Sequence, residues 1–231
     1  IAVELAKAGQ FDKALTVAGS ISHDHYKALA LKDIAVELAK AGQFDDALNV
    51  AGSISDDSKK TWALKDIAVE LAKTGQFDDA LNVTGSISDD SDKAWALSKI
   101  ASELAKTGRF DDALNVAGYI SSDYSKVMAF SDIGVELAKA GQTQHALQIF
   151  DKALNVYGSI YDDYYKAEAL SKIASELAKA GQFDKAFDVA RFIYDNDDRD
   201  DTLRYIASEL AKAGQFDKAF DVAMSIYDND D

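Results

Sequence analysis

Glutamate and lysine recur together along the chain at a spacing of three residues. Glu70 precedes Lys73, and Glu103 precedes Lys106 in the next copy of the same string. Such groups could serve acid–base catalysis, but a catalytic site requires a unique arrangement in a pocket. A pair that is present seven times is instead typical of solvated ion pairs on a helix, each worth a few tenths of a kcal/mol. These residues therefore do not predict an enzyme.

Two other segments could bind metal ions. His23 and His25 offer two imidazoles, but two histidines in one loop without a third ligand are a weak metal signal. The acidic run 195–201 has the composition of a calcium loop, yet it lacks the glycine and the distal glutamate that such a loop needs. Both segments are better explained as helix connections and caps. No phosphate-binding glycine loop, nucleophile elbow or zinc motif occurs, so the sequence predicts no metal, no cofactor and no catalytic residues.

Composition excludes further classes of protein. The chain has 231 residues, 40 of them acidic and 25 basic, for a net charge of −15, and it contains neither cysteine nor proline. It can therefore form no disulfide or thiolate site, and its cysteine usage does not indicate a cellular compartment. The acidic excess repels phosphate backbones, so no nucleic-acid partner is expected. No apolar run approaches the ~20 residues of a membrane span, and no signal peptide is visible.

The elements that position these residues form an internal repeat. The string Ile-x-x-Glu-Leu-Ala-Lys-x-Gly occurs seven times at a spacing of 33 residues, except for one spacing of 40, starting at Ile1, Ile34, Ile67, Ile100, Ile133, Ile173 and Ile206. Each repeat shows two helical patterns. In the third repeat, Leu64, Ile67, Ala68 and Leu71 follow the spacing of one helix face, and a second helix is predicted from Phe77 to Ile87. Because one helix pair cannot bury its own apolar face, the repeats are expected to stack on their neighbours.

Glycines punctuate this pattern in two ways. One separates the two helices of every repeat, as Gly75 does in the third, and is predicted to be a left-handed helix cap. A second set, represented by Gly85, is predicted to lie inside the second helix, at either a close helix contact or a tolerated surface position. The Ser-Asp-Asp-Ser segment at 88–91 is predicted to cap the following first helix. The seven extra residues near 142–151 are predicted to add about 10 Å of helix.

The repeats resemble tetratricopeptide (TPR) repeats. The fifth repeat carries Gly141, Ala146, Phe150 and Ala153 at the positions of the second-helix signature, whereas the terminal proline of that family is absent and the period is 33 rather than 34 residues. The resemblance covers the whole chain, residues 1–231. It implies an all-α fold, a right-handed α-solenoid of seven stacked helix-turn-helix repeats.

The resemblance also implies a non-enzymatic scaffold that binds a protein or peptide along a concave groove lined by the first helices. One position of the first helix would then face the groove in successive repeats, which gives the row Leu29, Trp62, Trp95, Met128, Glu168 and Asp201. Its four apolar members would suit an apolar or helical ligand, and its two acids a basic segment. Alternatively, Trp62 and Trp95 pack between neighbouring first helices. A group of tyrosines, including Tyr124, Tyr164 and Tyr165, is either a recognition patch or filling for the inserted segment.

The ends of the repeat suggest a different function. The sequence enters in the middle of a first helix and provides no polar capping element at either end. Phe216, Phe220 and Ile226 are therefore expected to present an uncovered apolar surface. Either the seven repeats are part of a longer array, or the chain stacks end to end on identical copies as a structural filament.

Overall fold

The computed structural model describes residues 1–227 and contains fourteen α-helices in that range. The chain forms two compact units, Ile1–Leu104 and Ala105–Asp231. Helices of the N-terminal unit are α1 (Ala2–Lys7), α2 (Phe11–Gly19), α3 (Asp24–Lys40), α4 (Phe44–Gly52), α5 (Asp57–Lys73), α6 (Phe77–Gly85) and α7 (Asp90–Lys106), whose last residues pass the boundary. Those of the C-terminal unit are α8 (Phe110–Gly118), α9 (Asp123–Lys139), α10 (Thr143–Tyr157), α11 (Asp163–Lys179), α12 (Phe183–Ala190), α13 (Asn196–Lys212) and α14 (Phe216–Tyr227).

Helical hairpins stack within each unit. In the N-terminal unit, α3 packs against its hairpin partner α4 and against α1, α2 and α5 of the neighbouring repeats. In the C-terminal unit, α11 packs in the same way against α12 and against α9, α10 and α13. The prediction of an all-α protein built from helix-turn-helix repeats in a solenoid arrangement is confirmed.

The turn between the two helices of a repeat is held by backbone hydrogen bonds. Gly42 has φ +78°, a left-handed conformation that a side chain would strain. Its N–H donates to Ala39 at 2.9 Å and the N–H of Gln43 donates to Leu38 at 2.9 Å, which together make a Schellman cap. The carbonyl of Gln43 accepts from Ala47 at 2.9 Å and so begins α4. The predicted left-handed glycine is confirmed in every repeat, with φ between +72° and +83°.

The second set of glycines differs from the prediction. Gly85 is the last residue of α6, and a Cβ built on it meets no atom within 4 Å. The interpretation as a tolerated surface position is therefore correct, and the alternative of a close helix contact is wrong. The second helix is also shorter than predicted. Because α6 ends at Gly85, Ile87 lies beyond the helix, although it is buried at 3% exposure.

First helices begin at side-chain caps. The Asp89 carboxylate accepts from the N–H of Asp92 at 2.8 Å, which confirms the cap predicted within residues 88–91. Asp56 accepts from Lys59 at 2.9 Å in the same way at α5. His23 holds the corresponding place at α3 and makes no capping hydrogen bond. The first helix of the second repeat therefore lacks a stabilising bond that the next two repeats possess.

The core consists of small and branched apolar side chains repeated once per helix pair. The predicted helix face is confirmed in α5, where Ile67 and Ala68 are fully buried and Leu64 and Leu71 are 9% and 2% exposed. The corresponding isoleucine is fully buried in each later repeat as well, at Ile100, Ile133, Ile173 and Ile206.

The seven extra residues lengthen a second helix, as predicted. Helix α10 has 15 residues, against nine for α8. It brings the fully buried Phe150 against α9 at Gly134, where a Cβ would lie only 2.9 Å from Cε1 and Cζ of the ring. A glycine in α9 therefore makes room for the larger core residue of the lengthened helix.

Candidate interaction surfaces

The recurring glutamate–lysine pairs are ion pairs on the first helices. Their nitrogen–oxygen distances are 2.6–3.2 Å, and they are Lys7–Glu4, Lys40–Glu37, Lys73–Glu70, Lys139–Glu136, Lys179–Glu176 and Lys212–Glu209. The prediction of i,i+3 pairs is confirmed for these six. They place a basic residue in the last turn of each of these helices, where the helix dipole favours it.

The two candidate metal segments have structural roles. Rings of His23 and His25 lie against Tyr26, with centroids 4.9 and 5.6 Å away. Asp195 caps α13 by accepting from the N–H of Asp198 at 3.0 Å, so the acidic run forms the start of that helix. Among residues 1–227, no cluster of three or more histidine or acidic side chains could hold a metal ion. Within the same range, no helix is both long and apolar enough to cross a membrane.

Three members of the predicted row lie in the N-terminal unit. Leu29 is half-buried on α3, whereas Trp62 on α5 and Trp95 on α7 are 42% and 37% exposed. The ammonium group of a lysine from the same unit lies over each indole ring. Lys59 Nζ lies 4.0 Å from the ring centroid of Trp62, and Lys65 Nζ lies 4.7 Å from that of Trp95. The tryptophans therefore pack against neighbouring side chains and still present part of their rings to solvent.

Lys65 ties α5 to α7. Its ammonium group pairs with Asp92 at 2.8 Å while it lies over Trp95, and its side chain is only 19% exposed. This arrangement fixes the orientation of one indole of the row through a neighbouring repeat, because the cation contacts both the ring and a carboxylate.

The other three members of the row lie in the C-terminal unit. Met128 on α9 and Glu168 on α11 are half-buried. Asp201 on α13 is exposed and pairs with Arg204 at 2.6 Å. The apolar character of the row thus ends at α9, and carboxylates occupy the same position of α11 and α13.

Tyrosines of α9 and α11 form a cluster beside Glu168. Ring centroids of Tyr124 and Tyr165 are 4.7 Å apart, and those of Tyr164 and Tyr165 are 5.6 Å apart. Tyr164 is 70% exposed and Tyr165 is 43% exposed, so these rings do not serve as core filling. Burial of Tyr124 and the hydrogen bond between its hydroxyl and Glu168 raise the pKa of that hydroxyl well above its ordinary value of 10.0.

Acidic side chains accumulate at the start of α13, next to this cluster. Desolvation raises the pKa of the Asp198 carboxyl above 3.8, and the negative charges of Asp195, Asp201, Asp197 and Glu168 raise it further. This part of the C-terminal unit therefore has a locally negative potential.

Two apolar cavities lie between second helices, where the sequence did not indicate a site. One, of about 450 Å³, is lined by Leu154, Tyr157, Leu170, Val189 and Phe192, with Lys185 and Asp188 also on its wall. The other, of about 340 Å³, occupies the equivalent place one repeat later and includes Phe183, Phe187 and Val222. The second helix starts with Phe-Asp-Lys in the sixth and seventh repeats, where the second to fourth repeats have Phe-Asp-Asp. The new lysine bridges repeats, as in the pairs Lys185–Asp151 and Lys218–Asp184.

The predicted apolar surface at the last repeat is only partly exposed. Phe216 and Phe220 on α14 are 69% and 65% exposed. The expectation for Ile226 is wrong, because this side chain is 5% exposed and belongs to the core.

Comparison with known proteins gives matches among solved structures but none by sequence. No protein-family model matches the chain, and no curated protein matches it by sequence. Among solved structures, the crystal structure of Ton1535 from Thermococcus onnurineus NA1 matches over 96% of this chain and 93% of that one, with 20% sequence identity and a TM-score of 0.29. The chain is a helical-repeat protein, as its own hairpins and their stacking show.

Proposed function

We propose that the chain is a TPR-like, non-enzymatic scaffold that binds a protein or peptide segment through the first helices of its repeats. The observation that supports this function is the exposure of Trp62 and Trp95, at 42% and 37%, on helices whose core-facing side chains are almost fully buried. Tryptophan is costly to leave in water and is enriched among the residues that dominate binding energies. A row of such side chains in successive repeats suits an apolar or helical segment.

The absence of an enzymatic role is part of the same proposal. The carboxylates and ammonium groups of the first helices recur from repeat to repeat as exposed or half-exposed ion pairs. Chemistry at one substrate requires groups whose environments set them apart from one another. Repetition of the same environment favours a binding surface that is built from modules.

Peptide selection provides the test, because the chain has only two tryptophans and both lie in the row. Peptides selected from a random library on the wild-type protein are expected to change the tryptophan fluorescence. They should bind at least about tenfold more weakly to the variant Trp62→Ala/Trp95→Ala, as expected when an aromatic side chain that the peptide covers is removed. Tyr194→Ala, at a side chain that is 90% exposed, is the control and should bind as the wild type does.

Two results would contradict the scaffold function. One is the failure of repeated selections to yield any peptide that alters the fluorescence. The other is a set of peptides whose affinity is the same for the wild type and for the double alanine variant.

A second candidate function is end-to-end assembly of identical chains. Lys218 on α14 pairs with Asp184 on α12 at 3.0 Å, and Lys185 pairs with Asp151 in the same way one repeat earlier. In the repeat, Lys13 of the first copy occupies the position of Lys218, and Asp217 of the last copy occupies the position of Asp184. A Lys13–Asp217 pair between two copies would continue the series, and the exposed Phe216 and Phe220 would be covered by the same contact.

Charge reversal distinguishes this assembly from an unrelated association. If copies stack in this way, light scattering should show a mass that rises with concentration, and Lys13→Asp should lower it. Lys13→Asp combined with Asp217→Lys should restore the association, because the pair is re-formed with opposite polarity. A monomer at every concentration would exclude end-to-end assembly.

A further inference from the structure

An aromatic platform stands on α9 and α11 of the C-terminal unit. It consists of the rings of Tyr124, Tyr164 and Tyr165, with centroid separations of 4.7 Å and 5.6 Å between neighbours. Tyr164 and Tyr165 are 70% and 43% exposed, and Tyr124 is half-buried. An exposed cluster of three aromatic rings from two helices offers more contact area than scattered surface residues do.

The platform is held in place before any ligand arrives. The hydroxyl of Tyr124 interacts with the carboxylate of Glu168. Asp162, which caps α11, accepts from the backbone N–H groups of Tyr164 and Tyr165 at 3.0 and 3.3 Å and so fixes the turn that carries these rings. Tyrosine has few rotatable bonds, and groups that are already ordered lose little entropy on binding.

The charge around the platform is negative. Glu168 lies against Tyr124, and its charge also acts on Asp198 of α13. Two basic groups of α11 and α13 are paired with carboxylates, Lys166 with Asp163 at 3.6 Å and Arg204 with Asp201 at 2.6 Å. The potential at the rings therefore favours a cation.

The tryptophans of the N-terminal unit provide a comparison within the same chain. Lys59 and Lys65 lie over Trp62 and Trp95, so the protein supplies its own cation to each indole. Among residues 1–227, no lysine or arginine lies over the three rings of the platform. Faces that attract cations thus remain available in a negative environment.

We infer that Tyr124, Tyr164, Tyr165 and Glu168 form a binding site for a peptide segment rich in lysine or arginine. The ammonium or guanidinium group lies on the tyrosine rings, and Glu168 pairs with a second basic residue of the segment. The inference rests on the proposed scaffold function and assigns the partner chemistry of the C-terminal unit. It uses neither tryptophan, so the two proposals can fail separately.

A labelled octapeptide of alternating lysine and glycine is the probe, and fluorescence anisotropy measures its binding to the whole chain. Tyr164→Ala/Tyr165→Ala should weaken binding by about tenfold or more, which corresponds to the loss of two cation–π contacts. Glu168→Gln should weaken it by a few-fold, by roughly the contribution of an exposed ion pair. Peptide with acetylated lysines should not bind. Tyr194→Ala and Trp62→Ala/Trp95→Ala are the controls and should bind the probe as the wild type does.

General attraction to an acidic protein is the competing explanation. It predicts that the tyrosine variants bind the probe as the wild type does and that added salt abolishes all binding equally, and this result would overturn the site. Loss of binding in the tryptophan variant would also overturn it while leaving the proposed scaffold function in place. Tyr164→Ala alone, at a ring that is 70% exposed, tests the site if the double variant has a reduced helical signal.

Discussion

Gly134→Ala tests how closely α9 and α10 are fitted to each other. The new Cβ would lie 2.9 Å from Cε1 and Cζ of Phe150, whose side chain is fully buried. Overpacking of this kind costs about 1–3 kcal/mol. Replacing glycine by alanine within a helix raises the free energy of unfolding by about 1 kcal/mol. The expected net loss in the free energy of unfolding is therefore between about zero and 2 kcal/mol.

The sign of the effect should reverse when the ring is removed. Phe150→Ala alone should cost about 3–5 kcal/mol because it leaves a cavity. In that background Gly134→Ala meets no ring, so it should stabilise the protein by about 1 kcal/mol. The coupling between the two sites is then about 1–3 kcal/mol. In the second repeat, Ala35 occupies the position of Gly134 and Ala51 that of Phe150, and both alanines are fully buried.

Urea unfolding of the four proteins, followed by circular dichroism, measures these differences. Hydrogen exchange at the amides of α9 and α10 gives a local measure, which is needed because repeat arrays can unfold in more than one step. Gly52→Ala is the control, since a Cβ there meets nothing within 4 Å. The same change in stability for Gly134→Ala in both backgrounds would refute the steric argument.

Two further substitutions test the turns and the caps. Gly75→Ala should lower the free energy of unfolding by about 1–2 kcal/mol, because Gly75 has φ +83° and its surroundings are open, whereas Gly85→Ala, in equally open space at negative φ, should cost nothing. Equal urea midpoints for the two variants would contradict this. His23→Asp should stabilise α3 by about 1 kcal/mol, because His23 has φ −88° and ψ 113°, close to the −85° and 112° of the capping Asp56. A lower urea midpoint for this variant would show that the contact of His23 with Tyr26 outweighs a cap.

The repeat itself could be predicted from the sequence because it depends on local rules. A glycine such as Gly42 is required by a left-handed turn, and its position fixes where one helix ends and the next begins. The face of α5 that carries Ile67 and Leu71 follows from helical periodicity. Both features are repeated seven times, so the pattern is strong.

Features that depend on contacts between helices were not predictable. Nothing in the local sequence pairs Gly134 with Phe150, because the two residues meet only when α10 packs on α9. The burial of Ile226 follows from the packing of α14, while its spacing alone placed it with the exposed Phe216 and Phe220. The interaction of Tyr124 with Glu168 joins residues from two repeats. The cavities between second helices were not predictable either, because each is formed by side chains of two repeats that meet only in the folded chain.

The lengthened hairpin of α9 and α10 also bears on the order of folding. Its largest fully buried side chains, Ile133, Leu137, Ile149 and Phe150, lie within 18 residues of one another in the chain. Contacts between residues that are close in sequence require little loop closure, and they form early in folding. We therefore expect this hairpin to be the nucleus of the C-terminal unit, from which α11 to α14 add one hairpin at a time.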